Sequence, residues 1–271
     1  MALARRSGIT IMHRPMDFEA VAEAVNGTPY LSREHGKSLY EHIIAAGVRD
    51  ILEVGTAHGV SAAYMAAAVQ ENGGKVTTVD TAKVVPDPSP ESVIARAGLQ
   101  DSVEIVRVED SSYTWWLKEQ VERASDQHGN CEPIYDFCYL DGAHNWTIDG
   151  LAAVLIEKLL RPDGWLLLDD FNWTYAAYGG QYGGPGQSPQ DLRLSDAELA
   201  TPHVSAVFEV IVKQNPNFTE FRVEDTNWAW AHKAPGQPRR YELELSKPMG
   251  ALLLQALVTV RRRVQQRRNA P

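Results

Sequence analysis

Apolar residues recur at helical spacing near the start of the chain, over residues 17–47. Two groups of such positions are present: Phe18, Val21, Ala22 and Val25, then Leu39, Ile43 and Ile44. Asn26, Gly27 and Pro29 lie between the groups and are typical of a break in a helix. The pattern therefore predicts two helices joined by a short connection.

Short apolar runs then alternate with helical segments up to residue 170. The predicted strands cover residues 50–55, 75–80, 103–108, 135–140 and 165–168, and the predicted helices cover 61–70, 91–97, 114–124 and 148–160. Further along, residues 199–214 have a helical pattern, and residues 218–223 and 227–232 alternate like an antiparallel pair. This order predicts an α/β fold: a Rossmann-like, doubly wound, mostly parallel seven-stranded sheet with a closing antiparallel hairpin.

We predict a single domain over residues 1–245. Helices 17–47 are expected to form a lid, and the Gly- and Tyr-rich segment 173–190 is expected to cover the acceptor side of a site. Residues 246–271 join an apolar start to a cluster of arginines and predict a basic helix or tail. Such a tail could dock on an acidic neighbouring subunit in a homo-oligomer, lie on a membrane surface, or stay solvated.

Composition and charge narrow the class of protein. The formal net charge of −9 disfavours a nucleic-acid partner. The two cysteines, Cys131 and Cys138, are too few for a disulfide framework and favour a reducing interior. No signal-peptide core follows the N-terminus, and the longest apolar stretch, residues 251–260, is too short to span a bilayer. A cytoplasmic protein without a transmembrane segment is the expectation.

A glycine-rich turn follows the first predicted strand, in the sequence Glu53-Val-Gly55-Thr-Ala-His-Gly59. Glycines there let the backbone approach a ligand at the carboxyl edge of the sheet. The second strand ends at Asp80, whose carboxylate can accept hydrogen bonds from ribose hydroxyls. A dinucleotide is the alternative ligand, but the turn has the spacing G-x-x-x-G, not G-x-G-x-x-G. Each feature alone also fits a tight turn or a solvated acid.

Several segments resemble one known family. Residues 51–61 (Ile-Leu-Glu-Val-Gly-Thr-Ala-His-Gly-Val-Ser), residues 97–105, Leu140-Asp141 and residues 159–170 are similar to motifs of the class I methyltransferases. The likeness is greatest to the catechol O-methyltransferase-like, metal-dependent O-methyltransferases and their bacterial natural-product relatives, which would place the protein in secondary metabolism. It extends over residues 35–232 and implies S-adenosylmethionine as methyl donor. Glu53 suits this cationic donor better than a phosphate.

The resemblance also implies roles for individual residues. Gly55 and Ser61 would line the methionine part of the donor, Asp80 would hold the ribose, and Asp110 with Ser111 would lie beside the adenine. The full predicted donor site consists of Glu53, Gly55, Gly59, Ser61, Asp80, Asp110, Ser111 and Asp141. The sequence around Asp110, Val-Glu-Asp-Ser-Ser, departs from the usual family motif.

Three carboxylates fall at the ends of the fourth and fifth strands: Asp141, Asp169 and Asp170. Converging carboxylates repel one another unless a cation or protons neutralise them, and oxygen ligands suit Mg²⁺. The family pattern has carboxylate or amide residues at these three positions. The alternative is that Asp169 or Asp170 caps a turn. The prediction is a divalent cation, Mg²⁺, held by all three.

His144 follows Asp141 by three residues, where the resembling enzymes carry a basic residue as general base. An imidazole of ordinary pKa is partly neutral near pH 7 and can accept a proton. The sequence thus predicts O-methylation of a small-molecule hydroxyl, in a catechol or a vicinal sugar diol. The alternatives are a metal-independent N- or O-methyltransferase and a non-catalytic donor-binding protein.

Overall fold

The computed structural model of the protein describes residues 16–70, 72–82, 86–109, 112–177, 193–225, 227–237, 240–242 and 257–259. Several predicted features lie outside these residues: Asp110 and Ser111 of the predicted donor site, most of the segment 173–190, and nearly all of the tail 246–271. Within the described residues, no helix has both the length and the apolar character needed to cross a membrane.

Seven strands form one sheet: β1 Asp50–Val54, β2 Lys75–Thr81, β3 Val103–Val108, β4 Tyr135–Leu140, β5 Leu160–Leu168, β6 Phe218–Glu224 and β7 Trp228–Lys233. Their order across the sheet is β3-β2-β1-β4-β5-β7-β6. Strands β1 to β5 pair in parallel, whereas β7 pairs antiparallel with both β5 and β6. The predicted doubly wound sheet with a closing antiparallel hairpin is confirmed. The carboxyl ends of the five parallel strands consequently share one edge.

Helices cover both faces of the sheet: α1 Phe18–Val25, α2 Arg33–Ala45, α3 Val60–Gln70, α4 Pro90–Arg96, α5 Tyr113–Arg123, α6 Trp146–Leu159, α7 Asp196–Ala200 and α8 His203–Val207. A π-helical turn, Phe208–Val212, continues directly from α8. One apolar core lies between the sheet and α1 to α4, and the other lies between the sheet and α5, α6 and α8.

Alternation along the central strands supplies both cores. In β1, Ile51 belongs to the first core, and Leu52 and Val54 belong to the second. In β4, Phe137 likewise faces the first core, and Cys138 faces the second. Successive side chains of a strand point to opposite faces, so a sheet buried on both sides has nearly continuous apolar strands.

Two predicted elements differ in the structure. The helix expected over residues 199–214 is divided into α7, α8 and the π-helical turn. The division falls at Pro202, which has no N–H to donate and keeps the preceding Thr201 in extended conformation. Strand β5 begins at Leu160, not at Trp165, because Leu160 already pairs with Tyr135 before the register shifts at the Pro-Asp-Gly sequence.

Candidate active site

The glycine turn after β1 lies at the carboxyl edge of the sheet and requires glycine at its first position. Gly55 has φ +97°, and a Cβ atom there would lie only 1.7 Å from the carbonyl oxygen of Asp141. Asp141 in turn donates its N–H to the carbonyl oxygen of Val54 over 2.9 Å. The ends of β1 and β4 are therefore in backbone contact, which brings the glycine turn against the loop that follows β4.

A narrow cavity opens at this turn. Its lining consists of Pro29, Tyr30, Leu31, Gly55, Thr56, Ala57, His58, Val60, Ser61, Tyr139 and Asp141. Gly55, Ser61 and Asp141 were predicted for the donor site, and the structure brings them together here. One wall comes from the connection between α1 and α2, and the ring of Tyr30 stacks on that of His58 at 5.4 Å. We refer to this space as the donor cavity.

Glu53 lies beneath the donor cavity and is fully buried. Its carboxyl group accepts hydrogen bonds from Ser61 Oγ and, over 2.5 Å, from Thr78 Oγ1. Burial raises the pKa of Glu53 from its ordinary value of 4.5 to about 8, and the charges of Asp141 and Asp80 add to this effect, whereas the two hydroxyl groups oppose it. Glu53 therefore fixes Ser61 at the start of α3.

Asp80, at the end of β2, braces the glycine turn from the other side. Its Oδ2 atom accepts hydrogen bonds from the backbone N–H groups of Thr56 and Ala57, both over 3.0 Å. Gly59 has φ +78° and lies against Pro90 at the start of α4, and it does not line the donor cavity. Asp80 and Gly59 therefore stabilise the glycine turn.

Asp141, His144 and Asp170 form a second group, which shares Asp141 with the donor cavity. One potential ligand atom from each residue lies within 4.8 Å of the others. The Nε2 atom of His144 is 3.3 Å from Asp141 Oδ1 and 3.2 Å from Asp170 Oδ2. Both carboxylates are about one-third exposed, whereas His144 is buried. We refer to this group as the Asp-His-Asp cluster.

The imidazole of His144 has a strongly shifted proton affinity. Burial lowers its pKa, but the hydrogen bond and charge of Asp141, together with the charges of Asp170 and Asp149, outweigh burial and raise the pKa to about 9. The expectation of an ordinary histidine pKa is therefore wrong for this environment, because two carboxylates face the same ring nitrogen.

Asp169 lies beside the Asp-His-Asp cluster and is not part of the group whose ligand atoms converge. The hydroxyl of Tyr139 donates to its Oδ2, and Asn227 Nδ2 donates to its Oδ1 over 2.7 Å. Burial, with the charges of Asp141 and Asp170, raises the pKa of Asp169 to about 7. Asp169 is therefore held by β4 and by the turn between β6 and β7.

Aromatic residues after β5 pack against the back of the cluster. The ring of Trp173 lies 5.2 Å from that of His144, and Tyr175 contacts Trp173 at 4.7 Å and His203 at 5.3 Å. Trp173 and Tyr175 are buried. These side chains therefore support the histidine.

Sequence reasoning missed several residues of the donor cavity, notably Tyr30, Thr56 and Tyr139. Tyr30 follows Pro29 in a connection that the sequence marks only as a helix break, although its exposed ring and φ of +86° are unusual for tyrosine. Tyr139 occupies a position in a strand where an aromatic residue is expected as core. The sequence pointed to this position only through Asp141, two residues further along, because alternate residues of a strand share a face.

Comparison with known proteins agrees with this geometry. Residues 52–171 match a family model described as a methyltransferase domain. No curated protein sequence matches the chain significantly.

Three solved structures illustrate the likeness of fold. The O-methyltransferase from Bacillus cereus, in complex with SAH, has a TM-score of 0.52 at 20% identity, over 83% of this chain and 93% of that chain. SAH-bound methyltransferase PaMTH1 from Podospora anserina has a TM-score of 0.53 at 16% identity, over 79% and 86%. O-methyltransferase TomG from Streptomyces achromogenes, involved in tomaymycin synthesis and bound to SAM, has a TM-score of 0.50 at 19% identity, over 80% and 89%.

The sheet order and the glycine turn define a class I methyltransferase fold. With the matched methyltransferase domain, they confirm the class predicted from the sequence, an S-adenosylmethionine-dependent methyltransferase.

Proposed function

We propose that the protein transfers a methyl group from S-adenosylmethionine to a hydroxyl oxygen of a small molecule that carries two adjacent oxygens, such as a catechol or a vicinal sugar diol. One observation carries the proposal: Asp141 lines the donor cavity and also belongs to the Asp-His-Asp cluster. A donor in the cavity and an acceptor at the cluster would therefore be neighbours, which is the main requirement of a displacement reaction.

The residues of the cluster fit a divalent cation such as Mg²⁺. Asp141 and Asp170 each turn a carboxylate oxygen, the kind of ligand that Mg²⁺ prefers, towards Nε2 of His144. Asp169 lies outside this group, with both carboxylate oxygens hydrogen-bonded to Tyr139 and Asn227. Burial raises the pKa of Asp170, and the charge of Asp141 adds to this effect while that of His144 opposes it. A cation would relieve the repulsion and would supply Lewis acidity that favours ionisation of the acceptor hydroxyl.

The residues of the donor cavity and of the Asp-His-Asp cluster would carry out the remaining steps of the reaction. The donor cavity holds the sulfonium donor, and its walls aim the methyl carbon at the cluster. A cation held by Asp141 and Asp170 would offset the carboxylate charges that raise the pKa of His144, so that Nε2 could accept the proton of the acceptor hydroxyl as the oxygen attacks the methyl carbon. The carbon–sulfur bond breaks, and the donor leaves as the neutral thioether. Trp173, packed on His144, keeps the imidazole in place.

A metal-independent transfer is the second candidate, and one observation favours it. His144 already contacts Asp141 and Asp170, and its raised pKa makes it an imidazolium at neutral pH, whose charge balances the two carboxylates without a cation. The two candidates differ in their response to chelation.

Turnover of labelled donor with a panel of catechols and vicinal diols tests both candidates. We expect EDTA to abolish turnover, Mg²⁺ to restore it, and Asp170→Ala to lose it while binding of S-adenosylhomocysteine is kept. Asp101→Ala, at an exposed acid after α4, is the control and should be fully active. Full activity in EDTA would establish the metal-independent reaction. Donor binding without turnover on any acceptor would favour a non-catalytic protein.

His144→Ala provides a separate test of the base. We expect a rate about 10²–10⁴-fold lower, with donor affinity kept. The loss should shrink for acceptors of low pKa, since these need less help in losing a proton. An unchanged rate with every acceptor would remove His144 from the mechanism.

A further inference from the structure

The short loop after β4, residues 141–145, carries both Asp141 and His144, and its backbone is unusual. His144 has φ +50°, in the left-handed region that only about a few per cent of residues other than glycine adopt. A residue keeps this conformation only when neighbouring contacts hold the backbone on both sides.

Two buried side chains hold this loop from below. The hydroxyl of Tyr113, the first residue of α5, accepts a hydrogen bond from the N–H of Ala143 over 2.9 Å. Oδ2 of Asp149, in the first turn of α6, accepts one from the N–H of Asn145 over 3.0 Å. The residues immediately before and after His144 are thereby each fixed through the backbone.

Tyr113 and Asp149 also bond to each other, and they form one unit. The hydroxyl of Tyr113 donates to Oδ1 of Asp149. Both side chains are at most 3% exposed. Burial raises the pKa of Tyr113 far above its ordinary value, and the nearby charge of Asp149 raises it further, so the phenol keeps the proton that it donates.

The loop runs directly over this pair. A Cβ atom at Gly142 would lie 2.3 Å from the Tyr113 hydroxyl oxygen and 2.6 Å from Asp149 Oδ1. The glycine therefore lets the backbone approach closely enough for the hydrogen bonds on either side of His144. Neither Tyr113 nor Asp149 is among the described residues that line the donor cavity.

We infer that Tyr113 and Asp149 are positioning residues, which act through the backbone of residues 143–145 to hold Asp141 and His144 in the geometry that methyl transfer requires. The inference rests on the proposed function of the Asp-His-Asp cluster. Tyr113 begins α5 and Asp149 lies in the first turn of α6, so the starts of both helices would hold the cluster in place. Neither side chain belongs to the described lining of the donor cavity or to the Asp-His-Asp cluster.

Tyr113→Phe is the sharpest test, because it keeps the ring and removes only the hydroxyl group. We expect kcat to fall by about 10- to 100-fold, since a misplacement of about 1 Å is enough for such a loss. KM for the acceptor and the Kd for S-adenosylhomocysteine should stay within about threefold of wild type. Asp149→Asn should behave in the same way.

Tyr135→Phe is the matched control. Tyr135 is also a buried tyrosine, but it lies at the opposite end of β4, and burial raises its pKa to about 12. This variant should lose stability and keep kcat. A wild-type kcat for Tyr113→Phe, or an equal loss of kcat in the control, would overturn the positioning role.

Crystal structures of wild type and Tyr113→Phe, each with S-adenosylhomocysteine, separate this inference from the proposed function. We expect residues 143–145 to shift relative to the sheet in the variant. An unshifted loop would overturn the inference even if the wild type methylates diols. A shifted loop would support it even if the wild type turned over no acceptor, a result that would count against the proposed function alone.

Discussion

Gly55 occupies the point at which the chain leaves β1 and meets the loop after β4. Its positive φ and the close approach of the Asp141 carbonyl oxygen each favour glycine at this position, for separate reasons. The sequence indicated a glycine turn here, but it gave no sign that the backbone of another strand end fills the space where a side chain would be.

Replacement of Gly55 by alanine should therefore disrupt both the fold and donor binding. We expect Gly55→Ala to lower the free energy of unfolding by more than about 3 kcal/mol, because a Cβ atom would collide with rigid backbone. Gly129→Ala is the control: Gly129 has φ +87° but no atom near its Cβ position, so only about 1–2 kcal/mol of backbone strain is expected. Urea unfolding of both variants measures the difference, and equal losses would contradict the steric argument.

Glu53 should make the stability of the protein depend on pH. Its pKa is about 8 in the folded state, against an ordinary value of 4.5, so the folded state binds the proton more tightly than the unfolded state. The stabilisation is present below about pH 4.5 and is lost as the pH rises towards 8. Glu53→Gln should flatten the dependence of the free energy of unfolding on pH. In the wild type, Glu53 should change this free energy by a total on the order of a few kcal/mol.

Urea unfolding between pH 5 and pH 8 measures this effect. Glu104→Gln, at an exposed glutamate of β3, is the control and should keep the slope of the wild type. A Glu53→Gln variant with an unchanged slope would show that another group causes the pH dependence.

At the scale of elements, the junction of α6 with the closing hairpin depends on a buried ion pair. Lys233, the last residue of β7, lies 3.0 Å from Glu157 of α6 and donates to the carbonyl oxygen of Leu160 over 2.7 Å. Both side chains are at most 10% exposed. Removing one partner of such a pair leaves an uncompensated charge in the interior.

We expect Lys233→Met to lower the free energy of unfolding by about 1.5–3 kcal/mol, because buried Glu157 would keep only the half-exposed Lys158 as its cation. The double variant Lys233→Met/Glu157→Gln should recover part of that loss. Denaturant unfolding of the single and double variants tests the coupling, and additive effects of the two substitutions would contradict it.

Most elements could be predicted from the sequence because their patterns are local. Strand β1 and helix α3 follow from a run of apolar residues, a glycine turn and an alanine-rich helix. The π-helical turn after α8 and the bulge near Pro162 depend on packing against distant strands, so no local pattern indicates them. The catalytic candidates were found through their strand ends, whereas the support of His144 by Tyr113 needed the three-dimensional structure.

At the scale of the whole molecule, charge is divided unevenly along the chain. Residues 246–271 contain six of the 26 basic residues and none of the 35 acidic ones, so residues 1–245 carry a formal net charge of −15. Opposite charges on body and tail favour their association, either within one chain or between copies.

Removal of residues 246–271 should leave the chemistry intact and alter association. We expect the truncated protein to keep the kcat of the full chain and to differ from it in oligomeric size at low salt. Light scattering at low and high salt measures the size, with an Arg261→Gln/Arg262→Gln/Arg263→Gln variant of the full chain as control. An unchanged size with no loss of binding to anionic vesicles would indicate a solvated tail.

Calorimetric titration of the purified protein with S-adenosylhomocysteine measures donor binding itself, on which every further step at the donor cavity depends. We expect one binding site per chain, and we expect Asp80→Ala to weaken the affinity by roughly 1.5–3 kcal/mol, because the glycine turn would lose the carboxylate that accepts charge-assisted hydrogen bonds from Thr56 and Ala57. Absence of any binding by the wild-type protein would contradict both the donor cavity and the proposed methyl transfer.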